Sequence, residues 1–131
     1  MSDADENASV AKQLEDLLKS AHEELSGARM QRQFVEELLS QIKDIDDIDK
    51  RSALFENAEA AVLAAETANL NIRLILQQAH DLVKSDEESP DRSFMNIKEI
   101  KELKEFRDIV NAEGEAAEEA FAARKALEDF G

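Results

Sequence analysis

The chain has no cysteine, tryptophan or tyrosine, and only one proline and three glycines in 131 residues. Without cysteine there is no disulfide framework, thiol nucleophile or thiolate metal site. All six aromatic residues are phenylalanine. Strands draw on β-branched and aromatic side chains, so this composition favours long helices over a sheet. Gly27, Gly114 and Gly131 are isolated, which excludes a glycine-rich phosphate loop. No apolar run approaches the ~18 residues needed to span a membrane. The first residues, MSDADENAS, lack the basic start and apolar core of a secretion signal. The expected location is cytoplasmic, or nuclear in a eukaryotic source.

Catalytic groups are equally sparse. The two histidines, His22 and His80, belong to no HExxH arrangement, and no Glu precedes either by three residues. The di-iron bundle signature is therefore missing. If the first two helices run antiparallel, His22 and His80 approach one another, but two surface histidines are the expectation. The Asp-rich stretch 44–49 invites a calcium reading. Counted from Asp44, however, the sixth and twelfth positions of an EF-hand loop hold Asp49 and Phe55 where Gly and Glu are required. No enzyme activity, cofactor or metal is expected.

What the chain has in abundance is acid. Thirty-one Asp and Glu oppose sixteen Lys and Arg, for a net charge of −15. Nucleic acids and anionic lipid surfaces carry the same sign, so direct binding to either is disfavoured. The excess is uneven. Residues 1–49 sum to −8, 85–93 to −3 and 111–131 to −4, while 50–84 and 94–110 each balance. Lys98, Lys101, Lys104 and Arg107 alternate with Glu99, Glu102, Glu105 and Asp108. This is the pattern of a solvated ion-pair face rather than a nucleic-acid footprint.

The apolar residues repeat with helical period. In the middle of the chain, Leu54, Ala58, Ala61, Ala65, Ala68, Ile72, Ile75, Ala79 and Leu82 recur at alternating steps of four and three, the spacing of a coiled-coil seam. Phe55, Val62, Leu76 and Val83 form a second row, and Leu63, Leu70 and Leu74 a third side. A helix apolar on most of its circumference is buried between neighbours. Before it, Val10, Leu14, Leu17, Leu18, Ala21, Leu25, Ala28, Phe34, Val35, Leu38, Leu39, Ile42 and Ile45 mark a first helix, with Gly27 as a point of bending or fraying. After it, Ile97, Ile100, Leu103, Phe106, Ile109, Val110, Ala117, Ala120, Phe121, Leu127 and Phe130 mark a last helix, with a kink expected at Gly114. Beyond Gly114 the stripe thins, so this end is expected to be held less firmly or to meet an outside partner.

These patterns predict an all-α fold, an elongated antiparallel three-helix (up-down-up) bundle with coiled-coil-like packing. Residues 1–8 are expected as a disordered acidic tail and 9–131 as a single domain, with helices at about 9–46, 52–84 and 94–129. The first turn falls between Asp46 and Arg51, with Asp49 or Ser52 capping the second helix. The second turn spans Ser85 to Ser93 and carries the only proline. Ser85 precedes an acidic run and Ser89 precedes Pro90, as in kinase sites, and Ser93 with Asn96 can cap the last helix.

Function follows from surplus. The Leu63, Leu70 and Leu74 side is more apolar surface than two neighbours cover, which points to a homodimer or another protein partner. The first expectation is thus a non-enzymatic interaction or structural protein, a subunit or adaptor that binds by helix packing. The second is a small acidic inhibitor, a DNA mimic of anti-defence or immunity type. There, rows of carboxylates such as Glu36, Glu37, Glu118 and Glu119 occupy the basic groove of a nucleic-acid-binding partner.

Overall fold

The computed structural model describes residues 3–87 and 97–130, with side chains described over 10–83 and 104–130. Its elements are α1 (Asp3–Ile42), α2 (Ile48–Glu87) and α3 (Ile97–Phe130), and each helix packs against both others. Among the described residues there are no strands. The polar contacts fix the directions. Glu66 and Arg73 on α2 meet Arg124 and Glu113 on α3 in opposite order, and on α1 the early residues Leu14 and Ala21 pack with Ile72 and Ala79 while the late Leu38 and Ile42 pack with Ala58 and Ala61, so successive helices are antiparallel. Arg29 and Arg32 of α1 meet Glu115 and Glu119 of α3 in the same order, so α1 and α3 are parallel. This is the up-down-up bundle that the periodicity predicts.

Local chemistry accounts for where the helices begin and end. α1 starts at Asp3 rather than at about residue 9. α1 closes at Ile42, with backbone bonds from Asp44 N to Gln41 O (3.1 Å) and Ile45 N to Ile42 O (3.2 Å) tightening its last turn. The cap of α2 is neither Asp49 nor Ser52. Asp47 Oδ1 accepts from the backbone N–H of Asp49 at 2.9 Å and of Lys50 at 3.4 Å, and α2 starts at Ile48. Asp49 lies in the first turn of the helix instead. Of the second turn, residues 88–96 lie outside the described residues, and with them the Ser89 site and the Ser93–Asn96 cap. Ser85 falls in the last turn of α2.

Neither internal glycine interrupts its helix: α1 passes through Gly27 and α3 through Gly114. A Cβ at either position would meet nothing within 4 Å, so neither glycine serves a close approach.

The core is divided in two. One cluster joins Val35, Leu38, Leu39 and Ile42 to Ala58, Ala61, Val62, Ala123 and Leu127 at the end that holds the first turn. The other joins Leu14, Ala21 and Leu25 to Ile72, Ala79, Ile109, Ala112 and Ala116 toward the opposite end. Between them the buried positions are Ala28, Ala65, Ala68 and Ala120, with Asn69 alongside at 8% exposure. This alanine waist lets the three backbones approach, and it offers little apolar area of its own. The part of α3 beyond Gly114 is well seated, with Ala116 and Ala123 fully buried. Phe34, Val110 and Phe121, placed by periodicity on the core stripes, point to solvent, whereas Glu105 is buried at 7% exposure.

Candidate interaction face

The waist is girdled by charge. Arg124 donates to both carboxylate oxygens of Glu66, from Nε at 3.1 Å and from Nη2 at 2.6 Å. That bond raises the Arg124 pKa above its ordinary value, with desolvation opposing the rise, so the guanidinium stays charged. Glu113 Oε1 accepts from Arg73 Nε at 3.1 Å and from Asn69 Nδ2 at 3.3 Å. On the other side of α3, Arg29 pairs with Glu115 at 3.0 Å, and Arg32 joins Glu119 at 2.5 Å and Glu36 at 3.6 Å. Arginine suits these bridges because its planar fork matches a carboxylate.

These contacts locate the candidate residues. On α2 the core-facing direction runs through Ala65, and Glu66, Asn69 and Arg73 mark the side toward α3. At about 100° per residue, Leu63, Leu70 and Leu74 share one line on the outer surface, just beyond that seam. They are 57%, 54% and 63% exposed. On α3, Glu113 and Arg124 mark the side toward α2, and Val110 and Phe121 lie about 60° further out. Phe121 is 69% exposed. The leucine line and the Val110–Phe121 line therefore flank one seam and form one face, with the Arg73–Glu113 and Glu66–Arg124 pairs as its floor.

The charge on this face is exceptional for the chain. Between residues 60 and 80 the only Asp, Glu, Lys or Arg are Glu66 and Arg73, and both are paired with α3. The outward positions around the leucines are Ala60, Thr67, Gln77 and Gln78, all uncharged and exposed. Thirty-six per cent of the whole chain is charged. On α2 this surface carries no unpaired charge between residues 60 and 80 and centres on large apolar side chains, as the middle of a protein interface does, while on α3 the exposed Glu128 lies on the line of Val110.

The acidic candidates lie elsewhere. Glu36, Glu37 and Glu118 are exposed, and Glu119 is half-buried. Glu119 meets Arg32 across the α1/α3 seam, while Glu36 meets the same arginine one turn along α1, so one of this set ties α1 to α3. The structure thus separates the leucines, on the α2/α3 face, from the Arg32-linked carboxylates, on the α1/α3 side. The pairing signal that sequence missed is the placement of Val110 and Phe121 beside the leucines, which depends on the rotation of α3 against α2.

His22 and His80 are both exposed, and the ring of His80 lies 6.4 Å from that of Phe106. No group of three His, Asp or Glu able to hold a metal forms among the described residues. An open cleft of about 570 Å³ sits at the first turn, where Ile42, Ile48, Phe55 and Phe130 form its walls and Arg51 and Glu56 its rim. No described helix is long and apolar enough to cross a membrane. Comparison with protein-family models, with curated proteins and with solved structures gives no match.

Proposed function

We propose that this chain is a non-enzymatic interaction module, a helical subunit or adaptor that binds protein through the α2/α3 face. The observation that carries the proposal is the charge-free leucine line Leu63, Leu70 and Leu74 in a chain of net charge −15. Apolar side chains exposed together in this way mark contact surfaces, whereas scattered ones need no explanation. The three leucines lie on the far side of α2 from its core, so the fold does not use them.

A photo-crosslinking side chain at Thr67, between Leu63 and Leu70, is the direct test in the cells of origin. Thr67 is exposed on this face. The expected result is capture of a specific protein from position 67, lost on Leu70→Glu, with helicity unchanged by circular dichroism. The same probe at Glu118 serves the second reading. The exposed Glu37 and Glu118 and the net charge support an acidic inhibitor of a basic protein. Capture from 118 alone, weakened by salt, would replace the first reading with the second.

A further inference from the structure

We infer that the occupant of the α2/α3 face is a second copy of this chain, docked antiparallel about a two-fold axis that passes between residues 68 and 69. This rests on the proposal that the face is a contact surface.

The first argument is self-complementarity. An isologous contact needs one patch that fits itself. The line Leu63, Thr67, Leu70, Leu74 is spaced four, three, four, a spacing that is the same in both directions. Laid antiparallel, Leu63 meets Leu74 of the other copy and Thr67 meets Leu70. The second argument is charge. In this register Glu66 comes level with Asn71 of the other copy and Arg73 with Ala64, so no like charges meet. The first such meeting is Glu56 with Asp81, about 19 Å from the axis at 1.5 Å per residue. A parallel arrangement would instead set Glu59 against Glu59, Glu66 against Glu66 and Arg73 against Arg73. Like charges across an interface are costly, so the antiparallel register wins.

The third argument is the position of Phe121. The Glu66–Arg124 and Arg73–Glu113 pairs set the level of α3 against α2. They place the axis level on α3 between about residues 117 and 122, by the shared 1.5 Å rise. Phe121, the most exposed aromatic side chain among the described residues, therefore stands beside the axis and meets its own counterpart. The area is adequate for a modest dimer. Two helix surfaces, each about 27 Å long and about 10 Å wide, bury on the order of 1,000 Å² across both copies, the lower bound for a specific interface.

Sedimentation equilibrium of the intact chain tests the inference. The expected result is a concentration-dependent shift from 14.7 kDa to twice that mass. The midpoint should lie in the micromolar range, and Leu70→Glu should raise it at least about 100-fold. The absence of cysteine allows a clean check on direction. Oxidising a mixture of Leu63→Cys and Leu74→Cys chains should give the mixed disulfide dimer, and neither variant alone should crosslink. Monomer at every concentration up to about 500 μM would overturn the second copy as occupant. Homotypic crosslinks through position 63 would overturn the antiparallel register, and a Leu70→Glu variant that still dimerises would overturn the face. The two proposals fail separately. A monomeric chain whose position 67 captures a different protein loses the dimer and keeps the interaction face, while a monomer that captures nothing there loses both.

Discussion

At the scale of single residues, the first turn shows how a cap is chosen. Asp44, Asp46, Asp47 and Asp49 all have the right side chain. Only Asp47 has its oxygen placed to accept from two successive amides of α2, those of Asp49 and Lys50. Asp47→Ala should therefore lower stability by about 1 kcal/mol, the usual loss for a helix cap. Ser52→Ala, at the position that sequence also offered as a cap, should change it by less than about 0.5 kcal/mol, because Ser52 is an exposed residue within the helix. Urea titration of both variants checks the pair, and equal losses would remove Asp47 from the cap. That a cap lay in this stretch was legible from the aspartates. Which one it was depends on the phase at which α2 must enter to bury Ala58 and Ala61, a tertiary demand that no single residue encodes. Glu105 makes the same point: its Lys/Glu-rich surroundings read as solvated, yet it is buried.

At the scale of elements, α2 was the most legible part of the chain. Its seam positions Ala58, Ala61, Ala65, Ala68, Ile72 and Ala79 are all buried, and Leu54, Ile75 and Leu82 are half-buried against the same clusters. A sustained three-four repeat is a strong signal because many residues vote for one face. α3 was less legible. Its buried line runs from Ile109 through Ala112, Ala116, Ala120 and Ala123 to Leu127, and the four alanines between the two large residues are too weakly apolar to stand out among Glu and Lys. The larger Val110 and Phe121 drew attention and turn outward. Leucine in the α2 seam should overpack it. Ala61→Leu and Ala68→Leu are each expected to cost about 1–3 kcal/mol, while Ala60→Leu, one residue away on the exposed side, should be nearly neutral. Thermal melts of the three variants read this directly, and unchanged melting in both seam variants would break the assignment.

At the scale of the whole molecule, the two apolar clusters, the alanine waist and the girdle of ion pairs form one design. The clusters supply the apolar burial at the two ends. The waist brings the backbones together without large side chains to fix how far one helix slides along another. The pairs Arg29–Glu115, Arg32–Glu119, Arg73–Glu113 and Arg124–Glu66 supply that register. Each pair is partly exposed and contributes at most about 1 kcal/mol. Against them stands the mutual repulsion of a chain with net charge −15, which opposes the compact state. Salt weakens both effects, and the sign of the response tells which is larger. Among the described residues four ion pairs tie the helices together, whereas the chain carries fifteen more acids than bases, so repulsion should dominate. Raising NaCl from about 20 mM to about 500 mM, which shortens the screening length from roughly 20 Å to about 4 Å, should therefore raise the melting temperature. The measurement belongs at submicromolar chain, below the micromolar midpoint expected for the proposed dimer, so that association does not contribute. A fall in melting temperature would mean that the girdle outweighs the repulsion. Arg32→Ala and Arg124→Ala would then remove the salt sensitivity, whereas under the expected balance they deepen the repulsion and make the stabilisation by salt steeper.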